Sequence, residues 1–278
     1  VAGIIYGLTS GTLTRNFSTI AQTEGVSSNP LFASVTATAF AYEGWIIATS
    51  INSELKDSKR NLPRAMALGG IIIIAVYILY YIGVAGGATN QQLIDLGATV
   101  AFTNIFGGVL GNILNLFVAI SCIGTMNGLM IGCCRGMYSL AVRGRGPATE
   151  VYSQVDIRTN MPNNSSVFAL LITAAWFLYF YLSNLAGTWT GPFVFDSTEL
   201  PIITIYFMYL PIFIQWMRKE KDQPVMRRFV LPILAICGSV FMVVACIISH
   251  KWANFWYLIV FAVIMVIGGL VDRKNRNS

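Results

Sequence analysis

The chain has 278 residues, of which 55% are hydrophobic and 11% charged, with a mean hydropathy of +0.66. That composition excludes a soluble globular domain of this length and reads as a polytopic membrane protein. The net charge of +6 then reads as topology, with lipid headgroups in place of nucleic acid as the expected partner of the basic residues.

The opening residues 1–8, VAGIIYGL, have neither an initiator Met nor a signal-peptide pattern and resemble the end of a preceding transmembrane helix. A fragment of a longer protein is therefore expected. Residues 9–28 are polar and read as an extracellular loop. Next comes a stretch with Asn29 as N-cap and Pro30 at the first helical position. From Pro30 to Ser53 this stretch is apolar, and Glu43 is its one charged residue. At about 1.5 Å per residue it makes roughly 36 Å of helix, enough to cross a hydrocarbon core of about 30 Å with some tilt.

Glu43 thus falls near mid-membrane, where a charge costs on the order of 2.5–3.5 kcal/mol and commonly marks an ion or substrate path. Gly44 is its immediate neighbour. An unbroken helix aligns Thr36, Glu43 and Ser50 on one seam. An interruption near Gly44 instead exposes backbone groups to a ligand at the midplane. One glycine costs only about 1 kcal/mol in a helix, so the residues leave both arrangements open.

Further spans are expected near 65–87, 109–134, 166–185, 199–217, 229–248 and 252–271, which makes seven complete transmembrane helices. The linker 88–108 is too polar to cross and suits a short interfacial helix. The 109–134 span is rich in small and polar residues, among them Ser121, Thr125 and Asn127, which suit close helix packing or the lining of a hydrated cavity. Sixteen of the 18 Lys and Arg residues fall on alternate connections and in the tail, and Arg15 and Lys251 are the two exceptions. That asymmetry places the C-terminus in the cytoplasm and the start of the Glu43 span outside.

The five cysteines, Cys122, Cys133, Cys134, Cys237 and Cys246, lack metal-binding spacing and read as small core residues, with Cys133 and Cys134 placed where palmitoylation occurs. Asp196 and Glu199 read as loop or cap groups, and His250 as an exposed outer-loop residue. Trp189, Trp216, Trp252 and Trp256 fall at span ends, as an interfacial belt requires. No hydrolase, zincin or P-loop motif occurs, so no catalytic residue, cofactor or metal is expected.

Two distant stretches carry a family resemblance. AFAYEGW with the downstream ELKDSKRNLPRA resembles the sixth helix and adjoining loop of the amino acid–polyamine–organocation (APC) permeases. Glu54, Lys56, Arg60, Leu62, Pro63 and Ala65 match there, whereas Asp57 and Ser58 stand where Asn-Pro is usual. AFAYEGW is especially similar to the FAYGGW stretch of the L-type amino acid transporters. CCRGMYSLAVRGRGP resembles the signature after the family's eighth helix through Arg135, Tyr138, Leu140, Ala141, Arg143 and Pro147, and TNMPNNSSVFALL sits where a T-P-x-N-A stretch precedes the ninth.

The resemblance implies helices six to twelve of a leucine-transporter-like fold. Residues 29–217 would be the second inverted five-helix repeat, its first helix broken near 41–45, and residues 218–278 two additional helices with a cytoplasmic tail. It further implies secondary active transport of an amino acid across the cell membrane by alternating access, coupled to H+ or Na+ or run as exchange. Substrate-binding positions would be Phe40, Ala41, Tyr42, Glu43, Gly44 and Trp45, with Phe40 closing over the substrate. Glu43 departs from the L-type glycine and reads either as a proton-linked or cation-selecting carboxylate or as a neutral buried one bonded to a neighbouring helix. Ser121, Thr125 and Asn127 are the coupling or cavity candidates. A polytopic enzyme using Glu43 as acid or base, or a non-transporting sensor, are the alternatives.

Overall fold

The computed structural model describes residues 1–18, 30–188, 191, 193–194 and 200–276. The helices in chain order are α1 (Ala2–Ser10), α2 (Thr12–Ser18), α3 (Pro30–Tyr42), α4 (Ser58–Gly87), α5 (Asn90–Leu96) and α6 (Ala98–Cys134). The remaining helices are α7 (Gly136–Ala141), α8 (Thr149–Tyr152), α9 (Asn163–Phe180), α10 (Pro201–Lys219), α11 (Leu231–His250) and α12 (Trp252–Arg276). A 3-10 helix covers Trp45–Glu54, and π turns extend α9 over Tyr181–Leu185 and lead into α11 over Met226–Val230. No strand occurs among the described residues.

The chain is an all-α polytopic membrane protein. Among the described residues six segments are long and apolar enough to cross a membrane: Leu31–Thr49, Ser58–Gly87, Ala98–Ala141, Asn163–Leu185, Met226–His250 and Trp252–Arg273. The seventh expected span, near 199–217, forms α10 but is not among them. Its tyrosines, Gln215 and the basic last turn with Arg218 and Lys219 dilute its apolar character. The Asn29 cap, Trp189, Asp196 and Glu199 lie outside the described residues.

The chain divides into two compact units, and the division falls between Glu43 and Gly44. The first comprises the described residues of Val1–Glu24 with Gly44–Gly132. In it α1 crosses the end of α4 at backbone contact. A Cβ on Gly3 would overlap the Gly83 carbonyl, one on Gly7 would overlap Gly86 Cα, and one on Gly86 would overlap the Gly3 carbonyl.

Residues 12–18, expected in a polar loop, instead form α2. Gly11, at φ 72°, ends α1, and Asn16 gives the short helix a docking point. Its Nδ2 donates to the Ala85 and Ala88 carbonyls, both at 2.7 Å. The Asn90 N–H donates to Asn16 Oδ1 at 3.1 Å, and Asn104 Nδ2 donates to the Gly87 carbonyl at 3.0 Å. These amides satisfy the carbonyls that a helix C-terminus leaves without intrahelical partners.

The third expected span, placed at 109–134, is the second arm of α6. Gly107, at φ 78° and ψ 170°, interrupts that helix, a conformation open to glycine alone. The first arm, 98–106, folds back on the second: a Cβ on Gly111 would lie 2.8 Å from Thr103 Cα, and the Thr99 hydroxyl donates to Asn115 Oδ1 at 3.3 Å.

The second unit comprises the described residues of Gly25–Glu43 with Cys133–Ser278. Its core gathers Ala39 of α3, Ile202 and Ile203 of α10 and Cys246 of α11, with Tyr206, Met242, Val243 and Tyr257 packed around them. At the opposite end, the Arg145 guanidinium pairs with Asp272 at 2.6 Å and the Gly146 N–H donates to the same carboxylate at 3.3 Å. This ties the loop after α7 to the end of α12. As a partly exposed pair it contributes at most about 1 kcal/mol.

Ser165 carries more. It is fully buried, its hydroxyl donates to the Cys134 carbonyl at 2.6 Å and accepts from the Tyr138 N–H at 3.1 Å. One side chain thereby joins the end of α6, the start of α7 and the first turn of α9. Ser165→Ala strands a buried donor and a buried acceptor, each worth about 1–3 kcal/mol. A fall in thermal midpoint of the detergent-solubilised protein is expected, and Ser166→Ala, whose hydroxyl bonds only its own helix at Pro162 O, is expected to fall much less.

Candidate functional site

The site begins where α3 ends. Its sequence, PLFASVTATAFAY, alternates small and apolar residues without a charge, and the helix stops at Tyr42. The Glu43 N–H donates to the Phe40 carbonyl at 3.2 Å, an i→i+3 bond that tightens the last turn. Gly44 then takes φ 108°, ψ −13°, where a side chain would be strained. The Ile47 N–H donates to the Gly44 carbonyl at 3.0 Å and starts the 3-10 helix. Of the two arrangements that the residues left open, the chain adopts the interrupted one. The last turn of α3 thus directs the negative end of its dipole toward the break.

Glu43 is half-buried. Its carboxylate lies close enough to the phenols of Tyr206 and Tyr209, both on α10, to interact with them electrostatically. The two rings stack edge to face with centroids 5.6 Å apart, and Tyr209 is buried at 7% exposure. Beside them runs an open groove of about 350 Å³. One wall is α3 through Leu31, Ser34, Val35, Thr38, Ala39 and Tyr42, and the other is Tyr206 with Met242 of α11. The second unit therefore brings Tyr42 and Glu43 together with two phenols and a groove of amino-acid dimensions. Phe40 is half exposed at 50% and Ala41 is exposed.

Gly44 and Trp45 open the 3-10 segment of the first unit, with Trp45 exposed at 42%. Ser121, Thr125 and Asn127 also belong to the first unit and are exposed on α6. The Thr125 hydroxyl donates to the Ser121 carbonyl one turn earlier, at 3.2 Å. Ser121 and Thr125 therefore share a face, and Asn127, two positions on, does not. His250, expected to be exposed, is half-buried, because Lys251, at φ 41°, turns the chain directly into α12. Among the described residues no three His, Cys, Asp or Glu side chains come together as a metal site would require.

Tyr206 and Tyr209 are the residues that sequence reasoning missed. Their signal was the helical i, i+3 spacing of two phenols inside a largely apolar span, which aligns both on one face.

Residues 1–269 match the family described as "Amino acid permease". The chain is similar to the "Serine/threonine exchanger SteT" of Bacillus subtilis (strain 168), 26% identical over 262 residues, covering 90% of this chain and 57% of that protein. It is similar also to the "b(0,+)-type amino acid transporter 1" of Homo sapiens, 29% identical over 226 residues, covering 80% of this chain and 44% of that one. Over 136 residues it is 29% identical to the "Large neutral amino acids transporter small subunit 2" of Mus musculus, covering 49% of this chain and 25% of that one. The chain spans about half the length of these first two relatives.

Proposed function

The chain belongs to the amino acid permease family, and from that premise we propose that the protein carrying it moves amino acids across the cell membrane by alternating access. The observation that carries the reading is the interruption at Glu43–Gly44, which sets a helix C-terminus, a carboxylate and two phenols beside one groove. In this reading the carbonyl end of α3, from Phe40 to Glu43, receives the substrate ammonium, for which a helix C-terminus is a suitable acceptor. Phe40, half exposed beside the break, covers the bound amino acid.

The coupling ion in this reading is H+. Glu43 can carry a proton, and its phenol neighbours can exchange hydrogen bonds with either protonation state. Na+ finds weaker support: Ser121, Thr125 and Asn127 are all exposed on α6, and Asn127 lies off the face that the other two share. The C-terminus is cytoplasmic, on the side that holds most of the basic residues. The protein acts as a transporter, with its substrate chemically unchanged. The relatives' names also point to transport, SteT as an exchanger of serine and threonine and the others as amino acid transporters.

The test is uptake of a panel of radiolabelled amino acids by the complete protein in proteoliposomes. Saturable uptake of at least one, recovered unchanged from the lumen, is the expected outcome. Substrate recovered as a modified product would instead establish an enzyme. Binding of an amino acid without flux would establish a sensor.

A further inference from the structure

Outside that site, the connection between α8 and α9 is built as a rigid tip. The Asp156 N–H donates to the Met161 carbonyl at 3.0 Å, and the Asn160 N–H donates back to the Asp156 carbonyl at 2.8 Å. The Asp156 carboxylate accepts from the Arg158 N–H at 2.8 Å and from Asn163 Nδ2 at 3.1 Å. The first of these bonds, from the Arg158 backbone, holds the Asp156 carboxyl below the usual carboxylate range, so the knot is tied at neutral pH. Asn160, at φ 54°, completes it in a conformation that asparagine tolerates.

This closed loop presents Ile157 at 96% exposure, with Val155 and Met161 each exposed at 39%. A single exposed aliphatic side chain is ordinary. Here, however, the loop is closed on itself through Asp156, and two further exposed apolar residues belong to the same tip. Arg158 stands next to it and, among the described residues, makes no ion pair.

The position of the tip identifies what covers it. Asn163, bonded to Asp156, is the first residue of the apolar segment Asn163–Leu185. That segment makes roughly 35 Å of helix against a hydrocarbon core of about 30 Å, which puts its ends at the core's edge. A loop tied to that end lies in the headgroup layer, where an aliphatic side chain reaches the first methylenes and a guanidinium reaches phosphate.

We propose that this loop is a membrane-surface anchor, with Ile157 entering the leaflet beside α9 and Arg158 pairing with a lipid phosphate. It requires only that the chain is a multi-pass membrane protein and does not depend on the transport reading.

The experiment uses the complete protein with its native cysteines replaced by alanine and an environment-sensitive fluorophore attached at Ile157→Cys. The label is read in vesicles of phosphatidylcholine with phosphatidylglycerol, with nitroxide lipids labelled at the headgroup or at the acyl-chain end. Expected are a blue-shifted emission relative to a Gln154→Cys control and quenching at least twofold stronger from the headgroup nitroxide than from the chain end. Adding Arg158→Glu is expected to cut that quenching about twofold or more. A label that resembles the control, or one that is blue-shifted but unquenched by either lipid because protein covers it, overturns the proposal. Quenching indifferent to Arg158→Glu overturns the phosphate contact.

Discussion

Gly86→Leu is expected to prevent the complete protein from folding into a monodisperse species in detergent, whereas Gly69→Leu on the same helix leaves it intact. The difference lies in what each new side chain meets. Nothing lies within 4 Å of a Cβ at Gly69, and there leucine also raises helix propensity by nearly 1 kcal/mol. At Gly86 the first added carbon overlaps the Gly3 carbonyl and lies 3.3 Å from Gly7 Cα. Those are backbone atoms of another helix, so no rotamer change relieves the overlap. The helices must separate, which forfeits the close approach that small residues allow in a bilayer.

Inserting methylenes into a well-packed core costs about 1–3 kcal/mol, and here the cost does not stop at the crossing. Asn16 reaches the Ala85 and Ala88 carbonyls only while α1 and α2 lie against α4. Displacing α1 therefore withdraws those bonds too, which brings the loss above about 3 kcal/mol once stranded carbonyls are included. The measurement is fluorescence-detected size exclusion with thermal challenge. A Gly86→Leu protein with the wild-type midpoint would show that α1 does not cross α4 there.

The elements legible in the sequence were those that hydropathy encodes. Apolar runs announced α4, α9, α11 and α12, because lipid and water select composition over some twenty residues at a time. The candidate site was legible to the same depth. A Glu-Gly pair inside an uncharged run marked the place, and the backbone then chose the interrupted arrangement, with Gly44 at φ 108°.

What stayed illegible depends on single side chains meeting across space. Asn16 looked like any polar loop residue, yet it organises α2 by reaching carbonyls some seventy positions away. Gly107 was one of several glycines near a span boundary, and nothing local distinguishes the one at which the chain reverses. Nothing within NNSS sets Ser165 apart from its neighbours, although it holds three helices. Tyr206 and Tyr209 read as span composition, because hydropathy cannot tell which face of an apolar helix turns toward a carboxylate.

That last pairing leads to the largest functional effect. Glu43→Gln is expected to abolish the dependence of uptake on a proton gradient while leaving amino acid exchange active. Glutamine keeps the shape and one hydrogen-bond acceptor of a protonated glutamate but cannot release a proton. A mid-membrane charge costs on the order of 2.5–3.5 kcal/mol, so a carboxylate there is easily switched between states by its surroundings. Bringing a bound ammonium to the end of α3 beside Glu43 favours the ionised form, and its departure favours the protonated one. In the proposed reading that alternation couples proton release to substrate binding, so the two move in opposite directions and substrate gathers on the acidic side.

One pH unit of gradient is worth about 1.4 kcal/mol per proton, and hence about tenfold in accumulation. Wild-type vesicles are therefore expected to concentrate substrate about tenfold per unit, and the variant to stop at equilibration. Tyr209→Phe separates the coupling group from its surroundings. If the phenol tunes Glu43, its removal shifts the pH profile of uptake without ending coupling, whereas a phenol that only packs leaves the profile in place. Uptake by Glu43→Gln that still tracks the gradient would reduce Glu43 to a structural carboxylate and move the coupling step elsewhere in the protein.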